Sequence, residues 1–234
     1  MSLLARKKKA AVQTRAKTLI AHDNPKSPIA EQFRTIRTNL QYTSVDQDVS
    51  TMVVTSANPS EGKSVTAANV AVVFAQQGKR TLLVDADLRK PTIHYTFRVS
   101  NTEGLSNYLI GAQKLGNIVH QTDLSKLDVL TCGPIPPNPS ELLGSNKMEA
   151  FIEEAKGMYD MIIFDTPPVH AVTDSQVLAN FVDGVVLVVR SKQTEKESIL
   201  KAKDQLVQAQ ANILGVVLND QDIKKSNYYY YYGQ

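Results

Sequence analysis

A mainly parallel β-sheet flanked by helices on both faces is the α/β fold that this 234-residue sequence predicts. Three observations predict it. Short apolar runs rich in β-branched residues recur along the chain, helix-like stretches separate them, and the order is strand, helix, strand. Parallel strands require long right-handed crossovers, and near-continuous apolar character means burial on both faces.

The runs at residues 52–55, 82–84, 129–131, 161–164, 185–189 and 213–218 read as strands. The stretches 64–77, 139–156 and 195–209 read as the intervening helices, and Gly78 followed by Lys79 and Arg80 reads as a helix end. Before the first strand, residues 28–42 read as a helix with Phe33, Ile36 and Leu40 on one apolar stripe. Glu31, Arg34 and Arg37 gather to one side of that stripe, so they are not core. The proline-rich segment 133–139 marks a rigid surface turn. This leaves a basic arm over residues 1–27, one folded domain over 28–220 and a tyrosine-rich tail over 221–234.

The length suits a single large α/β domain. Charge is more informative than composition. Six basic residues (Arg6, Lys7, Lys8, Lys9, Arg15 and Lys17) precede the first acidic one, Asp23, so without them the net charge of +3 becomes −3 downstream. A nucleic-acid reader needs its basic stripe on the folded domain, so no nucleic-acid partner is expected. The arm reads either as a solvated extension or as a contact for an anionic membrane face or an acidic partner. Cys132 is the sole cysteine, which excludes an intramolecular disulfide and fits a reducing compartment. No apolar run reaches the length of a membrane span, so the expected location is the cytosol, at most the membrane surface. His22, His94, His120 and His170 lie far apart and make no zinc spacing with Cys132.

The segment Ala57-Asn-Pro-Ser-Glu-Gly62-Lys63-Ser64 follows a strand and opens a helix, the context of a phosphate-binding loop, and makes the expected fold P-loop NTPase-like. Pro59, Ser60, Glu61, Gly62, Lys63, Ser64 and Val65 are the expected ATP-binding residues. Loop N–H groups and the helix N-terminus attract the phosphates, Lys63 supplies charge, and the Ser64 hydroxyl suits Mg²⁺. Ala57 stands where the pattern usually has its first glycine.

Two further strands end in carboxylates. One carries Asp85 and Asp87, followed by Arg89; the other carries Asp165, followed by Pro168. Ligands of open parallel sheets bind at the carboxyl ends of strands. Mg²⁺ needs oxygen ligands, and a hydroxyl nucleophile needs a carboxylate to take its proton. Ser64, Asp87 and Asp165 are therefore the expected metal residues and Asp85 the expected base, with Asp85 and Asp87 able to exchange roles. Arg89 either orients Asp87 or caps a helix. Asn219, at the end of the last strand, either contacts the nucleotide base, as the resemblance to related ATPases implies, or is a plain turn residue.

A P-loop, an apolar-Asp-x-Asp-x-Arg strand and an apolar-Asp-x-x-Pro strand, in that order, resemble the bacterial tyrosine kinases of capsule and exopolysaccharide synthesis. The pattern runs from about residue 25 to the C-terminus. The resemblance implies a protein-tyrosine kinase that uses ATP and Mg²⁺, with Lys63, Asp85, Asp87, Asp165 and Arg89 in the catalytic set. It implies autophosphorylation of Tyr228, Tyr229, Tyr230, Tyr231 and Tyr232, and assembly into a cyclic homo-oligomer through Glu31, Arg34 and Arg37. It also implies other protein-tyrosine substrates, a cognate tyrosine phosphatase, and a separate transmembrane activator that recruits the chain to the inner face of the membrane.

A rival reading is a switch ATPase of the septum-positioning or partitioning type, which shares the fold. Those proteins carry an extra lysine early in the loop, where this chain has Asn58. A non-catalytic nucleotide-sensing adaptor is a second rival, but it has no need of Lys63, Ser64, Asp85, Asp87 and Asp165 together.

Overall fold

The computed structural model of the chain describes residues 19–43 and 49–221. Among these residues, one sheet contains β1 (Thr51–Ser56), β2 (Thr81–Asp85), β3 (Val119–Gln121), β4 (Leu127–Leu130), β5 (Met161–Asp165), β6 (Gly184–Arg190) and β7 (Ile213–Asn219). Their spatial order is β3-β4-β2-β5-β1-β6-β7. Only the β3–β4 pair is antiparallel. The helices are α1 (Ile20–Asp23), α2 (Pro28–Thr43), α3 (Lys63–Gln76), α4 (Ile93–Phe97), α5 (Leu105–Leu109), α6 (Leu115–Ile118), α7 (Pro139–Leu143), α8 (Asn146–Lys156), α9 (Asp174–Ala179) and α10 (Lys196–Gln208).

Because side chains alternate across a strand, one apolar sequence feeds two cores. Met52, Val54, Leu83, Ile163 and Val188 pack with Val70 and Phe74 of α3 and with Phe33 and Leu40 of α2. Val53, Val84, Phe164 and Leu187 point the other way, against Leu105, Phe151, Leu178 and Leu206. Burying each such side chain contributes about 1.5–3 kcal/mol. Residues 66–75 of α3 are all buried, as expected of an Ala- and Val-rich helix held between the sheet and α1 and α2.

The structure departs from the sequence expectations at five places. The short strand β3 has no sequence signal beyond Val119, and β4 is shifted toward the N-terminus, at 127–130 rather than 129–131. The expected helix 139–156 is broken after Leu143, because Ser145 accepts a hydrogen bond from Met148 N and starts α8 afresh. Strand β7 lies at the sheet edge, so Val216 and Leu218 are exposed rather than buried on both faces. The packed domain begins before residue 28: Ala21 is buried, its N–H donates to Asn69 Oδ1 at 3.0 Å, and its carbonyl accepts from Gln76 Nε2 at 3.0 Å. Residues 1–18 of the arm and Tyr228–Tyr232 lie outside the described residues. No helix among the described residues is long and apolar enough to cross a membrane.

The strand order places β1 between β5 and β6, while β2 lies beyond β5. Connections therefore leave β1 and β5 toward opposite sides, and the crevice at their carboxyl ends is where such sheets bind ligands. The P-loop and all three carboxylates open onto this end.

Candidate active site

Strand β1 ends at Ser56, and α3 begins at Lys63. Between them Ser60 and Gly62 adopt φ values of 66° and 92°, a left-handed turn that aims successive backbone N–H groups to one side. Gly62 has no substitute there. A Cβ at that position would lie 2.0 Å from Asn219 Nδ2. Pro59 and Ser60 are exposed at the loop tip, and Val65 shows its side chain in the first turn of α3.

Lys63 reaches across this end of the sheet. Its ammonium donates to Asp87 Oδ2 at 3.1 Å, Asp165 Oδ1 at 3.3 Å and Ser64 Oγ at 3.2 Å. Burial pushes the lysine toward neutrality, but Asp165 and Asp87 more than reverse this and hold its pKa above the ordinary value. Asp85 and Asp165 are register partners on β2 and β5, and both are fully buried. Burial first, and the neighbouring Asp165 charge second, push the Asp85 carboxyl up to about 8. Burial likewise raises Asp165 against the opposing pull of Lys63.

Asp85 Oδ2 accepts from the N–H groups of Thr92 and Ile93, both at 2.9 Å, so this carboxylate also fixes the start of α4. Among the described residues its Oδ1 has no hydrogen-bond partner, and neither has Asp165 Oδ2. Asp87 differs. Its Oδ1 accepts from Lys90 N at 2.9 Å, while Oδ2 faces Lys63.

Two residues left open by the sequence have partners within the chain. The Arg89 side chain neither orients Asp87 nor caps a helix; it grips buried Asp174 through two hydrogen bonds, at 2.9 and 3.1 Å, and reaches Ser140 Oγ at 3.1 Å. Only its backbone N–H meets Asp87, at 3.4 Å. Asn219 donates from Nδ2 to the Glu61 carbonyl at 2.9 Å and so braces the phosphate loop. Asp174 was invisible in the sequence, because a Thr-Asp pair opening a helix reads as no more than a start signal. Ser140 was hidden in the same way, inside a stretch that read as continuous helix.

The expected assembly stripe is engaged within the chain. Arg34 pairs with Glu31 and donates to the Pro25 carbonyl at 2.8 Å, and Arg37 donates to the Val73 carbonyl at 3.1 Å. All three residues still lie at least partly exposed on α2.

A divalent cation fits this end of the sheet. Two buried carboxylate oxygens lack partners beside the Ser64 hydroxyl, and an all-oxygen donor set is what Mg²⁺ prefers. No group of three or more His, Cys, Asp or Glu among the described residues is spaced to cage a metal alone. A Mg²⁺ bound with substrate phosphates and water would need only one or two protein oxygens.

Residues 49–214 match the family described as AAA domain. Tyrosine-protein kinase YwqD of Bacillus subtilis is 51% identical over 217 residues, covering 93% of this chain and 92% of that protein. The crystal structure of the chimerical protein CapA2B2 superposes with a TM-score of 0.85 at 45% identity, covering 88% of this chain and 91% of the other. The kinase domain of Escherichia coli tyrosine kinase ETK gives 0.82 at 35% identity, with coverages of 88% and 82%. The septum site-determining protein MinD of Pyrococcus horikoshii, complexed with Mg-ADP, reaches only 0.61 at 22% identity over 77% of this chain and 76% of its own, a likeness of fold alone. The chain thus belongs to the bacterial tyrosine-protein kinases, with a P-loop fold of the nucleotide-binding kind. In the rival family's lysine position, Asn58 here donates within its own chain to Glu61 Oε1 and Ser198 Oγ.

Proposed function

We propose that this kinase moves the γ-phosphoryl group of ATP onto the hydroxyls of Tyr228, Tyr229, Tyr230, Tyr231 and Tyr232, and thereby regulates synthesis or export of a capsular or extracellular polysaccharide. The observation that supports this most is the convergence of Lys63, Asp85, Asp87 and Asp165 at the mouth of the phosphate loop. The loop N–H groups at residues 59–65 hold the β and γ phosphates. Lys63 leaves its carboxylates for the phosphate oxygens, and Ser64, Asp87 and Asp165 hold Mg²⁺. When bound, the ion neutralises charge on the β and γ phosphate oxygens.

Asp85 is the residue we assign as base. Its Oδ1 carries no hydrogen bond, and its pKa near 8 lies close to working pH, where a general base is most effective. As the tyrosine oxygen bonds to the γ phosphorus, its proton passes to Asp85 and the bond to the leaving ADP oxygen breaks. Arg89 acts at a distance, by tying the Asp87 loop to Asp174. Asn219 acts by bracing the loop.

The same reading includes a ring of subunits joined through Glu31, Arg34 and Arg37, a separate membrane-spanning activator at the inner membrane face, a cognate phosphatase and further protein-tyrosine substrates. Each phosphotyrosine adds about −1.5 to −2, so a fully modified tail carries on the order of −8 to −10 and repels its neighbours. Phosphorylation then loosens the ring, which sedimentation of both forms at equal concentration checks. The deciding experiment is incubation with Mg·ATP, with and without the activator's juxtamembrane segment, followed by mass spectrometry of the tail. Phosphate on the five tyrosines of the natural chain and none on Lys63→Met is the expected result; equal labelling of both removes the assignment.

A further inference from the structure

The carboxylate of Glu61 lies in the middle of the phosphate loop, only 4% exposed, and among the described residues no cation pairs with it. Three neutral donors satisfy it instead. Oε2 accepts from Asn58 N at 3.0 Å; Oε1 accepts from Asn58 Nδ2 at 3.1 Å and from Thr194 Oγ1 at 2.7 Å. The Thr194 hydroxyl has its proton directed to Glu61, because its oxygen already accepts from Arg190 N at 2.8 Å. Asn58 spends its other amide proton on Ser198 Oγ at 2.9 Å, and that hydroxyl contacts His170 Nε2 at 3.1 Å.

We infer that Glu61 is a positioning residue: its buried side chain latches the phosphate loop to the β6–α10 connection through Thr194, and folds the loop upon itself through Asn58. The loop needs such a latch. Ser60 holds a left-handed backbone without being glycine, and such conformations persist only where surrounding bonds over-determine them. The backbone of Glu61 is fixed from the opposite side by Asn219, so the residue is clamped by β7 at its carbonyl and by the β6–α10 connection at its carboxylate. The side chain therefore serves to shape the anion-binding N–H groups, and its charge is dispersed over three donors instead of facing the phosphates.

A glutamine at this position has one acceptor oxygen where three donors converge, and it turns an N–H₂ toward one of them. Hydrogen bonds to a buried charged group are the stronger kind, so the loss falls on loop geometry.

This inference rests on the reading of the loop as an ATP site, and the test separates the two. Binding of Mg·ADP to the full-length protein is measured by calorimetry for the natural chain, Glu61→Gln, Thr194→Val and the double variant, alongside melting without nucleotide and kcat and KM for ATP. The latch predicts that Glu61→Gln binds Mg·ADP about tenfold more weakly, with KM raised and kcat little changed, since an interaction made equally in ground and transition states is lost. Thr194→Val weakens binding in the same direction, and the double variant is no weaker than Glu61→Gln alone. If the natural chain binds no Mg·ADP, the nucleotide-site reading fails. If the natural chain binds and both single variants stay within about twofold of it, the latch is overturned while the site stands. Should Glu61→Gln fail to fold, Thr194→Val decides by the same criterion.

Discussion

Asp85 and Asp165 sit opposite each other as register partners on adjacent parallel strands, both buried from solvent, each with one carboxylate oxygen that no described residue bonds. Burial and the Asp165 charge raise the Asp85 pKa, burial and Asp87 raise that of Asp165, and the nucleotide-free protein becomes less stable as the two acids ionise.

Replacing Asp85 by Asn tests that cost. The folded value near 8 exceeds the ordinary 3.8, so between those limits the folded chain holds a proton that the unfolded chain has lost. Stability from this group therefore falls as pH rises from about 4 to 8. Asp85→Asn is expected to melt higher than the natural chain at pH 8, by about 2–4 °C for each kcal/mol relieved, and close to it at pH 4–5. Tyrosine transfer should be lost. Thermal melts across pH, paired with a kinase assay, check both; a lower melting temperature at pH 8 counts against the buried charge.

Lys63→Met acts in the opposite direction. It removes the cation that Asp87 and Asp165 share, and breaking a buried pair costs about 3–5 kcal/mol when the partner stays ionised. Asp165, already held above its ordinary range, rises further. The variant is expected to be inactive and to lose stability more steeply than the natural chain as pH rises, because Asp165 is then protonated in the folded state over a wider range. A melting curve parallel to the natural one contradicts this.

Gly62→Ala meets two obstacles, a φ of 92° and the Asn219 amide 2.0 Å from the new Cβ. Nucleotide affinity should fall at least tenfold, because one of the two must move. Adding Asn219→Ala removes the contact but not the backbone strain of about 1 kcal/mol, so recovery is partial. Calorimetric titration with Mg·ADP distinguishes these outcomes.

Arg89→Ala leaves Asp174 buried without its cation; because the arginine is partly exposed and Ser140 Oγ still donates to Asp174, about 1–3 kcal/mol of destabilisation is expected. Asp174→Asn in the same chain restores most of it. Denaturant unfolding of the four proteins in the cycle gives the coupling directly; additive losses rule the pairing out as an energetic unit. Arg89→Lys should not substitute, since an ammonium cannot reproduce the two-pronged grip.

Much of the site was legible because its residues are local to strand ends. Lys63, Ser64, Asp87 and Asp165 announce themselves by following apolar runs, and the fold brings them within hydrogen-bond reach of Lys63. What stayed hidden depends on contacts between distant segments. Asp174 meets Arg89 across 85 positions and Thr194 meets Glu61 across 133, and no spacing rule links such residues. The position of β7 was hidden for a related reason. Its apolar run matches that of a central strand, and only sheet order reveals that one edge lacks a neighbour.

The pairing of β2 with β5 acts as a ruler for the chemistry. Side chains on a strand alternate between its two faces, so deleting a single residue from 81–84 would either slide every pair by one step or turn Asp85 into the opposite layer, that of Val84 and Phe151. Lengthening the turn after Gly78, at the far rim, shifts no rung. Over evolutionary time, changes of length are therefore expected to gather at the amino ends of the strands and to be purged between those ends and the carboxylates.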